Sequence, residues 1–298
     1  MKKLLLFGLM AVFASAQADA APVRRDPEEF PNHFCGGQNA RDPFKIAGFA
    51  HYPPFSWKAA DLDRFKETRH HIYTYDGFVA EYVKEALKKI KVKDIESLFF
   101  DSEEEMRRAV LEGKVDLVFT TFYRGGDRTG LDYIYPAYFG NPLAVISRAD
   151  KKVGKSEISD LKGMIGVIRR EEGMLPLIQG QLPTDTKIID VDGVEEAFKK
   201  LTDGEADFMI SSPYAVMAEA KRLNMKDKIY IHPKALRPVK FFAAFSKMSR
   251  CMRYKKLLEP ELQKLFEDKS SAEKKMKEYI DKWAKNGDTA LDFPEYSY

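Results

Sequence analysis

The apolar residues of this chain fall into short continuous runs that alternate with stripes at helical spacing. Three runs predict strands, at 45–50, 97–100 and 115–120, and the last lacks polar alternation, as a strand covered on both faces does. Between them, residues 78–90 carry a one-sided apolar stripe, and Ser102 with Glu105 is typical of a helix start. This strand-helix-strand-helix-strand order predicts a parallel sheet flanked by helices.

A second set of the same elements follows the first. Its strands are predicted at 164–168, 186–191 and 207–211, and its helices at 171–181 and 194–203. The last strand of each set lies in a similar stretch, EGKVDLVFTTFYR in the first and DGEADFMISSPYA in the second. Gly204 and Asp207 follow Gly113 and Asp116 at one common offset. A repeat over so long an interval predicts two similar α/β lobes rather than a solenoid.

Two apolar extended segments, each flanked by Pro or Gly, are expected to join the lobes as a paired hinge. They span 138–148 and 235–247. The corresponding lobe boundaries place residues 44–145 and 239–298 in lobe 1 and residues 146–238 in lobe 2.

Two other stretches differ from the alternating pattern. Residues 58–72 are charged and predict an exposed loop or hairpin. The tail predicts two helices, the first kinked or broken at Pro260. The second tail helix is expected to turn four residues inward: Met276, Tyr279, Ile280 and Trp283.

The N-terminus is typical of a secretory signal peptide over residues 1–20. It has a positive start, an apolar run too short to span a bilayer, and the small-x-small sequence Ala18-Asp19-Ala20. Residues 21–43 are rich in Pro, Gly and charge and predict an N-terminal extension. Because no Cys stands at the cleavage point, a lipid anchor is not expected. The mature protein is therefore expected to be free in the periplasm or another extracytoplasmic compartment.

Charge and cysteine content narrow the range of partners. The formal net charge is +3, and basic and acidic residues are interspersed, so the clustered basic face that nucleic acid requires is not expected.

The chain has two cysteines, Cys35 and Cys251. In an oxidising compartment they can form one disulfide that ties the extension to a late helix, and two free thiols are the alternative.

Hydroxyl residues end the corresponding strands of the two predicted lobes. Thr120-Thr121 follow the first, and Ser211-Ser212 follow the second. In open parallel α/β sheets, ligands bind beyond the carboxyl ends of the strands, and small hydroxyl side chains can both donate and accept hydrogen bonds there. We therefore expect a cleft for a small molecule between the lobes. The alternative is that these residues simply end strands and start turns.

Several kinds of chemistry lack the residue patterns that they need. The adjacent pair His70-His71 points to opposite faces of an extended chain and makes a poor chelate. Neither a G-x-S-x-G nucleophile motif nor a phosphate-binding loop is present in the sequence. A metal site, a bound cofactor and hydrolase chemistry are accordingly not expected.

Several segments together resemble the periplasmic solute-binding proteins of ABC transporters, in the amino-acid-binding group called family 3. They are YPPF at 52–55, YDGFVAEYVKEAL at 75–87, EGKVDLVFTTFYRGGDR at 112–128, DLKGMIGVI at 160–168, DGEADFMISSPYA at 203–215 and DKW at 281–283. The resemblance runs from about Lys45 to Trp283. It implies an α/β, two-lobed periplasmic-binding-protein fold of type II, with two parallel-core sheets joined by a two-segment hinge. It also implies a monomer that passes a small ligand to a membrane permease.

The resemblance suggests which residues of lobe 1 hold the ligand. In the GGDR segment, Arg128 matches the family's arginine that grips a ligand carboxylate, a task that suits its planar fork. Arg124 is the alternative if the segments are offset. Thr120 and Thr121 match the small polar residues of the same pocket. Three aromatic residues match a loop that stacks on the ligand, with ordinary core packing as the alternative: Tyr52, Phe55 and Trp57. Phe78, after Gly77, matches the start of the family's glycine-led helix at the cleft.

Lobe 2 departs from the family pattern. Arg170 and Glu171 stand where the family has Gly-Thr, and Ser212 replaces the family's amine-binding Asp. Both changes disfavour an ordinary α-amino acid. Glu171 or Glu172 could supply a counter-charge for an ammonium group, or Arg169 and Arg170 could bind a second anionic group. An exposed helix start is the plainer interpretation of this cluster.

The resulting hypothesis is an extracytoplasmic binding protein, not an enzyme. It would capture a small polar, carboxylate-bearing solute by hinge closure for an ABC-type importer. One alternative is an enzyme similar to cyclohexadienyl dehydratases, with Glu171 or Glu172 as the acid; the neighbouring arginines, which lower a carboxyl pKa, argue against it. Another is a ligand-responsive sensor or adaptor that acts through a separate partner.

Overall fold

The computed structural model describes residues 35, 42–68, 70–123, 130–153, 158–170, 178–267 and 269–286. The predicted signal peptide and most of the predicted extension lie outside these residues. None of the described helices is both long enough and apolar enough to cross a membrane.

The strands and helices follow one another along the chain largely as the apolar pattern predicts. The strands are β1 (Phe44–Ala47), β2 (His51–Tyr52), β3 (Ser56–Ala60), β4 (Tyr73–Asp76), β5 (Ile95–Leu98), β6 (Leu117–Phe122), β7 (Leu131–Tyr133), β8 (Phe139–Gly140), β9 (Leu143–Arg148), β10 (Ile165–Arg169), β11 (Lys187–Val191), β12 (Phe208–Ser211), β13 (Ile229–Arg237) and β14 (Lys240–Ser246). The helices are α1 (Leu62–Thr68), α2 (Phe78–Lys89), α3 (Glu103–Leu111), α4 (Val194–Thr202), α5 (Pro213–Arg222), α6 (Lys255–Glu267) and α7 (Lys269–Asn286).

Two mixed sheets built on the same plan define the two lobes. In lobe 1 the strand order is β5-β1-β6-β14-β7, and β8 also pairs with β14. In lobe 2 the order is β11-β10-β12-β9-β13. The first three strands of each sheet are parallel, and the next strand, β14 or β9, is antiparallel. The predicted α/β fold with two parallel-core sheets is confirmed. A small antiparallel sheet, β2-β3-β4, lies beside the sheet of lobe 1.

The chain crosses between the lobes twice, and the two crossings run side by side. On the lobe 1 side, β8 pairs with the start of β14. On the lobe 2 side, Leu143 of β9 faces Arg237 of β13. Between these pairs, the Asn141 backbone N–H donates to the Val239 carbonyl over 2.7 Å. The two-segment hinge predicted from the sequence therefore consists of two hydrogen-bonded antiparallel segments.

The repeated Asp has the same structural role in both lobes. The Asp116 carboxylate accepts a 2.8 Å hydrogen bond from the Lys45 N–H, and the Asp116 N–H donates to the Lys45 carbonyl. In lobe 2, Asp207 exchanges the same two hydrogen bonds with Ile165. Each Asp thus ties the start of its own strand to the start of the neighbouring parallel strand, which explains much of the similarity between the two stretches.

The structure differs from the sequence prediction in one described segment, and most of the helix predicted at 171–181 lies outside the described residues. Within residues 58–72, predicted as a loop or hairpin, the chain continues β3 to Ala60 and then forms α1. This helix buries one apolar side chain, Phe65, so its sequence lacks the apolar stripe that marks longer helices. At Pro260, where the sequence predicts a kink or a break, α6 continues through the proline and is not broken.

The tail closes the fold against both lobes. Met276 and Trp283 of α7 are buried, and Tyr279 and Ile280 pack against the core, as the apolar stripe predicts. Near the start of the tail, the Cα atoms of Cys35 and Cys251 lie 5.6 Å apart, a separation suited to a disulfide.

Candidate ligand-binding site between the lobes

One loop, residues 49–55, is held by the strand ends of both lobes. From lobe 1, the Thr120 hydroxyl accepts a 2.8 Å hydrogen bond from the Phe49 N–H. From lobe 2, the Arg169 guanidinium donates through Nη2 to the His51 carbonyl over 2.9 Å. The carboxyl ends of β6 and β10 therefore meet the same short segment, which marks this region as the junction of the two lobes.

The two threonines predicted to line the pocket differ in their surroundings. Thr120 is fully buried, and its hydroxyl is engaged with the loop backbone. Thr121 is half-buried, and its hydroxyl makes a long 3.4 Å contact with the Phe122 carbonyl. Thr120 therefore fixes the loop, whereas Thr121 is the hydroxyl that is better able to meet a ligand.

The two serines of lobe 2 lie buried where β12 meets α5. Ser212 is the residue before α5, and its hydroxyl has no hydrogen-bond partner among the described residues. A helix start leaves backbone N–H groups without intrahelical partners, and buried polar atoms normally find a partner or an ordered water. The Ser212 hydroxyl and the start of α5 are therefore groups that a bound molecule can satisfy.

Aromatic rings from both lobes lie close together at the junction. Tyr214, at the start of α5, lies 5.9 Å from the Phe55 ring and 6.0 Å from the Phe139 ring, measured between centroids. At the hinge, the Asn141 side-chain amide donates to the Tyr52 hydroxyl over 2.8 Å. Tyr52 and Phe55 thus lie at the lobe junction, where the sequence predicts them, but both are already covered by neighbouring side chains.

Two other predicted ligand-contacting aromatics lie in the packing behind this junction. Trp57 is 1% exposed, and its ring centroid is 5.3 Å from that of Trp283 on α7. Phe78 is buried between Phe139 and Tyr279. The position of Trp57 corresponds to the core-packing alternative, and Phe78, predicted at the cleft, is likewise buried.

The charged residues predicted for the site are distributed unevenly. Arg169 is buried at the end of β10, whereas Arg170 is exposed and pairs with Asp192 over 2.6 Å. The remaining charged candidates lie outside the described residues: Arg124, Arg128, Glu171 and Glu172. The described part of the site therefore contributes one buried cation, Arg169, from lobe 2.

The structure adds a buried carboxylate that the sequence analysis missed. Glu219 of α5 is 2% exposed and accepts hydrogen bonds from Arg222 Nε at 2.8 Å and Trp283 Nε1 at 2.9 Å. Burial raises the pKa of Glu219, while Arg222, Arg169 and the Trp283 hydrogen bond act in the opposite direction. The sequence signal for it was a single acidic residue within the apolar stripe of α5: Ala215, Val216, Ala218 and Ala220.

Residues able to ligate a metal come together elsewhere. Among the described residues, one such group consists of Cys35, Asp116 and Cys251, next to the start of β6 and at the opposite end of that strand from Thr121. Asp116 is already engaged there by the Lys45 N–H and the Ser249 hydroxyl. This group is separate from the lobe junction, and a disulfide between Cys35 and Cys251 would leave no thiolate there to bind a metal.

Comparisons by sequence find no matching protein-family model and no matching curated protein.

Solved structures do match, at low sequence identity. A substrate-binding protein of an amino acid ABC transporter from Streptococcus pneumoniae, bound to L-arginine, has a TM-score of 0.59 and 16% identity, over 82% of this chain and 94% of that one. The GluR0 ligand-binding core with L-glutamate has a TM-score of 0.60 and 12% identity, over 82% and 98%. The periplasmic VFT2 domain of Bordetella pertussis BvgS has a TM-score of 0.56 and 20% identity, over 80% and 92%. The chain therefore has the two-lobed fold of the amino-acid ABC transporter substrate-binding proteins.

Proposed function

We propose that this protein is an extracytoplasmic substrate-binding protein that captures a small polar, carboxylate-bearing solute for an ABC-type importer. The observation that carries the proposal is the loop at residues 49–55, which Thr120 holds from lobe 1 and Arg169 from lobe 2. A loop held from both sides changes its surroundings when the lobes separate. Ligand binding and lobe closure can therefore be coupled at this place.

Hinge closure is the mechanism that fits this geometry. The two crossings at Asn141 and Val239 are short, so small backbone rotations there can open the lobes while each sheet stays intact. In the open form the solute would meet lobe 1, where Arg128 is the proposed carboxylate anchor and Thr121 a neighbouring hydroxyl. Closure would then bring Arg169 and Ser212 of lobe 2 over the solute.

A carboxylate is the favoured ligand group for two reasons. Arg169 places a guanidinium in the buried part of the junction, and the planar guanidinium is suited to binding a carboxylate. In addition, L-arginine and L-glutamate, named with two of the similar structures, both carry a carboxylate.

The cellular setting is part of the same proposal. Residues 1–20 would direct export and be removed, which places the mature chain in the periplasm. Cys35 and Cys251, whose Cα atoms lie 5.6 Å apart, would form a disulfide in that oxidising compartment. The protein would act as a monomer and deliver its solute to a separate permease.

A sensor or adaptor is the second candidate function. Two of the similar structures are described as a ligand-binding core and as a periplasmic domain, without mention of transport. The same closure would then be detected by a partner protein. Capture of a permease or another partner with and without the solute separates the two roles.

A thermal-shift screen tests the proposal. The panel contains L-arginine, L-glutamate, dicarboxylates, aromatic acids and matching amides that lack the carboxylate. A true ligand at 100 times its dissociation constant adds about 2.7 kcal/mol to the free energy of unfolding, enough to raise the midpoint by several degrees. We expect a carboxylate but not its amide to do so, and Arg128→Ala to abolish the effect. Equal stabilisation by acid and amide would contradict the carboxylate assignment.

A further inference from the structure

The C-terminal helix α7 is anchored to lobe 1 along one side. The ring centroids of Trp283 and Tyr279 lie 5.3 and 6.2 Å from that of Trp57 in β3. Lys282 pairs with Asp76 of β4 over 2.6 Å. These contacts fix α7 to the small sheet β2-β3-β4, which carries the loop of the candidate site.

The same helix contacts α5 of lobe 2 along another side. Trp283 Nε1 donates to the Glu219 carboxylate over 2.9 Å, and both side chains are nearly inaccessible to water, at 3% and 2% exposure. Two residues away on each helix, Lys221 pairs with Asp281 at the surface. Trp283 therefore packs against Trp57 of lobe 1 and donates its N–H to lobe 2, and Ala218 of α5 belongs to the same apolar cluster.

Glu219 is held in place from within lobe 2. Arg222 donates from Nε to the second Glu219 oxygen and from Nη2 to Glu195. Because these bonds lie within lobe 2, the carboxylate keeps its position when the lobes move. The Trp283 bond, in contrast, joins two bodies that the hinge can separate.

We propose that α7 is a strap that holds the lobes closed in the absence of ligand, and that Glu219 is the positioning residue that sets the balance between open and closed forms. A hydrogen bond from a neutral donor to a buried carboxylate is among the stronger ones in proteins, and its loss leaves both groups unsatisfied. The Lys221–Asp281 pair is about half exposed on each side and contributes little by comparison.

The inference about α7 rests on the proposed function, because it takes the lobe junction as the binding site. When the free protein is mostly closed, the open form that admits a solute is a minor state, and the rate of association is reduced by that fraction. A weaker strap therefore speeds ligand association. The scattering test below needs no ligand, so it can succeed or fail whether or not a solute is ever identified.

The chain offers a matched pair of substitutions. Trp283→Phe keeps an aromatic ring in place and removes the N–H that reaches Glu219. Trp57→Phe makes the same change in the same ring stack, but Trp57 Nε1 has no hydrogen-bond partner among the described residues. Both variants lose similar ring volume, and one of them loses the bond between lobes. Glu219→Gln is a second way to weaken that bond without shortening the side chain.

Small-angle X-ray scattering on the ligand-free full chain gives the radius of gyration, and thermal unfolding is measured in parallel. We expect Trp283→Phe and Glu219→Gln to have a larger radius than wild type, with the closed-to-open ratio reduced on the order of tenfold. Trp57→Phe should lower the unfolding midpoint with an unchanged radius. The proposal is wrong if Trp283→Phe and Glu219→Gln stay folded with the wild-type radius, or if wild type itself scatters as an open form. If Trp283→Phe does not fold, the radius of gyration of Glu219→Gln alone tests the proposal.

Discussion

The hydroxyl of Thr120 should matter for stability much more than the hydroxyl of its neighbour. Thr120→Val replaces the side chain with one of nearly equal shape and leaves the Phe49 N–H without its 2.8 Å partner. A buried donor left unsatisfied costs about 1–3 kcal/mol. Because Phe49 is half-buried, water can partly replace the hydrogen bond that its N–H loses. We therefore expect the free energy of unfolding to fall by about 1–2 kcal/mol, toward the lower end of that range.

Thr121→Val is the matched control. The Thr121 side chain is half-buried, and its hydroxyl makes only a long contact with the Phe122 carbonyl. We therefore expect the free energy of unfolding to fall by less than about 0.5 kcal/mol. Urea unfolding followed by circular dichroism measures both variants, and midpoints are compared at equal slopes because two lobes need not unfold in one step. For ligand affinity we expect the larger effect in Thr121→Val. Equal destabilisation by the two variants, or none from Thr120→Val, would refute the reasoning.

Two further predictions concern the proposed disulfide and the repeated Asp of lobe 2. The proposed disulfide between Cys35 and Cys251 closes a sequence separation of 216 residues, so Cys251→Ser should lower stability by about 5 kcal/mol in the chain-entropy model, and the difference should vanish in reductant. In lobe 2, the hydrogen bond from Ile165 and the ion pair with Lys151 hold the pKa of Asp207 below its ordinary value of 3.8. Because the folded pKa is lowered, this contribution is complete at neutral pH and is lost as pH falls below about 4, so Asp207→Asn should flatten the acid limb of the stability profile.

Most of the fold could be predicted from the sequence because it depends on local patterns. The apolar runs that became β1, β6, β10 and β12 lack polar alternation, as strands buried on both faces must. The repeat around Asp116 and Asp207 identified two lobes directly. Helix α1 could not be predicted in this way, since burying Phe65 alone leaves no stripe in the sequence.

Only part of the candidate site could be predicted from the sequence. The rule that parallel strands end at one edge of a sheet placed Thr120 and Ser212 at the lobe junction. The same reasoning could not find Glu219, because its partner Trp283 is 64 positions later and no local pattern joins them. Nor could it separate Tyr52 and Phe55, at the junction, from Trp57, which packs on the C-terminal helix. Those assignments depend on which neighbours cover each ring.

Hydrogen–deuterium exchange with and without the stabilising solute tests the central claim most directly. The account predicts that the solute slows exchange in two separate peptides at once, one covering residues 49–55 in lobe 1 and one covering residues 211–216 in lobe 2. Protection confined to one lobe would contradict a ligand held between the two lobes.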